Sequence, residues 1–99
     1  MAIAEVSVIP LGTKTPSASQ YVARAIKALE QEEGIKYETT AMGTIIEGDL
    51  DRILAVVKKM HEGTFGEGVA RVITTVEIDD RRDKAQGMKS KLNSLRKKL

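Results

Sequence analysis

The run Gly43-Thr44-Ile45-Ile46-Glu47-Gly48-Asp49 places a carboxylate at the end of a short apolar stretch, between two glycines and next to an amphipathic segment. Glu47 there can accept hydrogen bonds from a ligand amine or offset a ligand cation. The plainer alternatives are a solvated strand-end residue for Glu47 and a simple helix cap for Asp49. A second polar locus lies upstream, where Gly12, Thr13, Lys14, Thr15, Pro16, Ser17 and Ser19 form a hydroxyl-rich loop opening onto a helix start. Free N–H groups and the helix dipole favour an anion or polar ligand at such a place. The Gly-Lys-Ser/Thr ending of a phosphate-cradling loop is absent, so nucleotide binding in that manner is disfavoured. Without a ligand, Ser17 is only a cap and the threonines only turn residues.

Other chemistries are closed or weakly supported. The 99 residues include no cysteine, which removes disulfides, thiolate metal sites and cysteine nucleophiles. His61, the only histidine, sits beside Glu62 at the end of a helical pattern. Its charged form suits a helix C-terminus there, and no Gly-x-Ser-x-Gly motif accompanies it. Asp79, Asp80, Arg81, Arg82 and Asp83 form a dense charge cluster. Paired acids raise the thought of magnesium, but capping of the next helix and pairing with the arginines is the simpler reading. No catalytic and no metal-ligating residues are assigned, and no enzyme activity is expected.

Charge is segregated: residues 1–80 carry 8 basic and 13 acidic side chains, residues 81–99 carry 8 basic and one acidic. The basic end can meet a polyanion, an acidic body or a neighbouring subunit. Only three aromatic residues (Tyr21, Tyr37, Phe65) and no Trp are present, which disfavours a nucleic-acid partner. No apolar run approaches the roughly 20 residues that span a bilayer, and the N-terminus does not read as a secretory signal, so the cytoplasm is expected.

The elements that must position these residues follow from periodicity. Ala4, Val6 and Val8 alternate with Ile3, Glu5, Ser7 and Ile9 in a strand from Ala2 to Pro10. Ser17 and Gln20 make a capping box for a helix over about 17–33, with Ala18, Val22, Ala25, Ile26 and Leu29 on one face and Gly34 as the stop. Residues 35–40 and 44–47 read as a hairpin about Ala41, Met42 and Gly43. Asp49 caps a second helix over about 49–62, with Leu50, Ile53, Leu54, Val57 and Met60 as its stripe and Gly63 as terminator. A fourth strand is expected over 69–78, with Ala70, Val72, Thr74, Val76 and Ile78 on the core face. Asp83 then caps a basic helix over 83–98, in which Ala85, Met88, Leu92, Leu95 and Leu99 form an a/d seam.

The order β, α, β, β, α, β, α over one domain, residues 1–99, implies an α+β fold: a ferredoxin-like βαββαβ sandwich with an additional C-terminal helix. Two helices cover one sheet face. Ile3, Ile9, Val69 and Ile73 on the other face call for cover by another subunit, the third helix, or both.

Several segments together resemble one family: Val8-Ile9-Pro10-Leu11-Gly12, Ser19-Gln20-Tyr21-Val22-Ala23, Gly43 to Gly48, Met60-His61-Glu62, Arg71-Val72 and Ile78-Asp79-Asp80-Arg81. In this order they resemble the small thiamine-binding protein family of archaea, bacteria and yeast. That resemblance implies the ferredoxin-like fold, assembly as dimers of dimers, and binding of thiamine or its hydroxymethylpyrimidine part. It implies self-association (homodimer, homotetramer) and no cofactor beyond such a bound ligand. Thr13, Ser17, Ser19, Gly43, Thr44 and Glu47 are then the expected ligand contacts, with Glu47 for the aminopyrimidine and Tyr21 as either a stacking wall or a packing residue. The alternative is a regulatory or structural oligomer that recognises an anion or nucleic acid through its basic C-terminal helix.

Overall fold

A computed structural model describes residues 1–12, 19–66, 68–83 and 87–99, Ser19 by its backbone alone. The elements are β1 (Ala2–Leu11), α1 (Ser19–Glu30), β2 (Ile35–Thr39), β3 (Thr44–Gly48), α2 (Leu50–Thr64), β4 (Arg71–Asp80) and α3 (Met88–Lys98). The four strands form one antiparallel sheet in the order β2-β3-β1-β4, the ferredoxin-like arrangement. Among the described residues, no helix is long and apolar enough to cross a membrane.

Pairing of Ala4 with both Ile46 and Ile78 fixes the two faces of the sheet. The helix-covered face carries Ala2, Ala4 and Val6 with Ile46, and these pack against Ala25 and Leu29 of α1 and Ile53, Val56 and Met60 of α2. Small alanines on the central strand let both helices approach closely, and the burial of these apolar side chains drives the fold. Pro10 is tolerated in β1 because β3 pairs only with Ala2 to Val6, so its missing N–H breaks no ladder on that side.

Several boundaries differ from the sequence reading. The second helix passes through Gly63 to Thr64, whose hydroxyl donates to the Met60 carbonyl at 2.8 Å, and it ends at the extended Phe65. Its buried stripe is Ile53, Val56, Met60 and Thr64, while Leu54 is exposed. Asp49 does occupy the N-cap position, yet its side chain makes no capping hydrogen bond. The first helix stops at Glu30, earlier than 33, and Gly34 turns the chain into β2 with φ 78°. Residues 17 and 18, with half of the expected capping box, lie outside the described residues.

Val69 does not belong to β4: it forms an isolated bridge with Gly66 and is buried, so it is no part of the open sheet face. β4 instead continues to Asp80, because Ala2 at the far end of β1 supplies a partner. Nor does Asp83 cap the last helix. Its carboxylate is held by Arg81, with Nε to Oδ1 at 2.5 Å and Nη2 to Oδ2 at 3.0 Å, and Gly87 stands at the N-cap.

Candidate functional site

A cavity of about 280 Å³ opens between the β2–β3 hairpin, the first turns of α1 and the middle of β1. Its walls include Val22, Ala25 and Ile26, the hairpin turn from Thr39 to Thr44, and Met60 beneath. The hairpin is shaped by its own side chains. Thr40 Oγ1 accepts from the N–H groups of Met42 and Gly43, each at 3.2 Å, and donates to the Gly43 carbonyl at 2.8 Å. This hydroxyl closure adds to the backbone bond that the Thr40 N–H donates to the Gly43 carbonyl at 2.8 Å. Gly43 passes so near β1 that a Cβ would lie 2.9 Å from the Val6 carbonyl oxygen, which requires glycine for close approach.

Thr44 pairs with Val6 and is therefore on the helix-covered face, only 6% exposed. Among the described residues its hydroxyl makes no hydrogen bond. Since no buried side-chain polar atom lacks a partner among the described residues, this unused hydroxyl keeps some accessible surface and is free to bind what enters the cavity. Ile9 and Val22 also line the space. Thr13 and Ser17, and the side chain of Ser19, lie outside the described residues.

Glu47 is elsewhere. Three residues along the strand from Thr44, roughly 10 Å away, it points to the opposite face in register with Ile3 and Lys36. It is 8% exposed and lines neither this cavity nor the groove on its own face. The structure thus brings Gly43 and Thr44 together and separates Glu47 from them, so one small ligand in this cavity does not reach all three. Tyr21 is buried, with the Arg24 guanidinium 5.6 Å from its ring centre, which marks it as a packing residue rather than a stacking wall.

On the open face, a groove of about 520 Å³ runs between the sheet and α3, lined by Ile3, Ile45, Met88, Leu92 and Leu95 with Glu5, Glu38 and Glu77. Asp79 pairs with Lys91 across it. Arg82 pairs with Asp80, Nη2 to Oδ2 at 2.9 Å. The hydrogen bonds to Asp83 and Asp80 hold the Arg81 and Arg82 guanidinium groups above their ordinary pKa. This accounts for the charge cluster by ion pairing. Among the described residues, no three His, Asp or Glu side chains converge so as to hold a metal ion. His61 shares a 2.6 Å hydrogen bond between Nδ1 and Thr74 Oγ1, and its ring meets Phe65 edge to face at 5.3 Å, a tie between α2 and β4.

Comparison with known proteins places this geometry in a lineage. The profile of the thiamine-binding protein family matches residues 4–96. The chain belongs to that family. It is 52% identical to the UPF0045 protein YqgV of Bacillus subtilis over 102 residues, spanning 100% of this chain and 98% of that relative. Among solved structures, the hypothetical protein MJ1052 of Methanocaldococcus jannaschii superposes with a TM-score of 0.86 at 44% identity, covering 95% of this chain and 94% of that one. A Thermotoga maritima protein proposed to act in thiamine biosynthesis or salvage superposes with a TM-score of 0.76, covering 95% of this chain and 97% of that one. At 20% identity, that likeness speaks to the fold alone.

Within the family's fold, the sequence reading missed Thr40, Val22, Ile26 and Met60 as cavity wall. Thr40 three residues before Gly43 was the legible signal for the first, as a hydroxyl-closed turn. The other three carry only helical periodicity, which does not distinguish a core position from a cavity wall.

Proposed function

We propose that the chain is an oligomeric small-ligand-binding protein that takes thiamine, or its hydroxymethylpyrimidine moiety, in the cavity beside Gly43 and Thr44, without turning it over. The observation that carries this reading is the Thr44 hydroxyl, unused by the fold and accessible, in the wall of a 280 Å³ cavity of a thiamine-binding family member. That volume sits at the small end of ligand pockets, about 300–1,000 Å³, and suits a single substituted ring better than an extended cofactor. Apolar walls from Val22, Ile26 and Met60 cover the ring faces. The Thr44 hydroxyl and the hydroxyls of Thr13, Ser17 and Ser19 take its polar edge and its alcohol.

Self-association is the second half of the proposal. Ile9 and Ile73, opposite one another on the face without α1 and α2, are 49% and 44% exposed. Leu92 and Leu95 of α3 add 48% and 54% exposed leucines on the same side. Apolar surface of this kind is typical of a subunit interface.

Calorimetric titration with thiamine and with hydroxymethylpyrimidine tests the ligand. Binding at one site per chain is expected, with thermal stabilisation that grows with concentration and reaches about 2.7 kcal/mol at one hundred times Kd. The reading fails if neither compound gives heat or raises the melting temperature at millimolar concentration.

A further inference from the structure

α3 is the least anchored element of the chain. No side chain of its 11 residues is buried, and Leu92 and Leu95, which line the groove beneath it, remain 48% and 54% exposed. It also has no side-chain cap of its own, since Gly87 occupies the N-cap with φ −113° and ψ 176°. The free N–H groups of a first helical turn require a partner, and a nearby negative charge is the usual one.

That charge comes from β3, forty residues away in sequence. A Cβ added to Gly87 would overlap Oε1 of Glu47 and lie 3.2 Å from its Cδ, so the carboxylate fills the space where any other residue would carry its side chain. Glu47 is 92% buried by its 8% exposure, and it forms no hydrogen bond or ion pair among the described residues. No buried side-chain oxygen lacks a partner among the described residues, so the carboxylate keeps an edge toward solvent while it sits against Gly87, where the positive end of the α3 dipole favours its charge. Among the described residues, the one other polar tie between α3 and the sheet is the exposed pair of Lys91 with Asp79, worth little on its own.

We propose that α3 is a strap latched over the 520 Å³ groove by the contact of Glu47 with Gly87, and that loss of this contact uncovers the groove. Both ties, Glu47 at Gly87 and Asp79 at Lys91, fall in the first half of the strap, while Leu95 and Leu99 toward its far end are exposed. The groove therefore opens from the C-terminal end. Access to Ile3, Ile45 and the carboxylates of Glu5, Glu38 and Glu77 becomes conditional on Glu47. The inference goes beyond the ligand reading and stands whether or not the smaller cavity holds a pyrimidine.

Amide hydrogen exchange on the full chain, read by mass spectrometry, tests it. In the native protein the amides of residues 91–98 are expected to exchange measurably slower than those of an unstructured peptide. Glu47→Gln, which keeps the shape and removes the charge, is expected to speed exchange in that segment on the order of 3- to 30-fold while β1 and β3 keep their rates. Gly87→Ala, whose methyl evicts the carboxylate without touching the sheet, is expected to do the same. The latch is overturned if residues 91–98 are unprotected in the native protein, or if both variants leave them unchanged. Equal acceleration of β1, β3 and α3 in both variants also overturns it, since Glu47 would then hold the sheet rather than the strap.

Discussion

Glu5 of β1 stands directly opposite Glu77 of β4, on the sheet face that α1 and α2 leave open. Neither carboxylate forms an ion pair among the described residues. Like charges at directly opposed positions of an antiparallel pair are destabilising, by a few tenths to about 1 kcal/mol. Glu77→Lys is therefore expected to raise the unfolding free energy by about 0.5–1 kcal/mol in low salt. Urea titrations at two ionic strengths check this, with the gain shrinking as salt screens the new pair.

The His61 tie between α2 and β4 predicts a loss of similar size. Thr74→Val keeps the shape of the side chain and removes the hydroxyl that meets Nδ1 at 2.6 Å. The expected cost is about 0.5–1.5 kcal/mol, seen as a lower denaturation midpoint with an unchanged slope.

Neighbouring positions of α2 are expected to respond very differently. Ile53 is fully buried in the core, and Leu54 is 47% exposed. Ile53→Ala should cost about 2–5 kcal/mol, whereas Leu54→Ala should stay within about 0.5 kcal/mol. Equal effects in thermal melts would contradict the placement of this helix.

If the open face is a subunit interface, a charge at its centre should break the assembly without unfolding the chain. Ile73→Glu is expected to shift the native mass from an oligomer to the 10.8 kDa monomer while the far-UV spectrum is retained. A native protein that is already monomeric at micromolar concentration would remove this part of the proposal.

How far the sequence revealed the fold differs by element. Period-2 alternation in residues 2–9 and the order of elements were enough for the ferredoxin-like sandwich, because β-branched alternation and helical stripes have different periods. Boundaries failed where a side chain substituted for an expected backbone signal. Thr64 bonding back to Met60 carried α2 past Gly63, and Asp83 turned to Arg81 rather than to the helix it precedes. Leu54 was read as core in place of Val56 because the two residues flank the stripe of Ile53 and Met60 on opposite sides, and spacing alone does not choose which flank is buried.

The candidate site was legible only in part. Gly43 and Thr44 line one cavity, and the sequence reading named them through the family resemblance rather than through any geometry. Glu47 was grouped with them by proximity in sequence, but odd spacing along a strand sends side chains to opposite faces, and this parity was readable from the start. Gly87 carried no signal at all, because its constraint arises from a side chain forty residues away.

The central claim is tested most directly by a titration of isotope-labelled protein with hydroxymethylpyrimidine, followed through the backbone amide spectrum. The account predicts saturable shifts centred on residues 13–19, 22–26 and 39–44, with Thr44 among the largest, and their loss in Thr44→Val while that variant stays folded. Shifts that cluster instead on residues 3–5, 45–47 and 88–95, or no shifts at millimolar ligand, would contradict it.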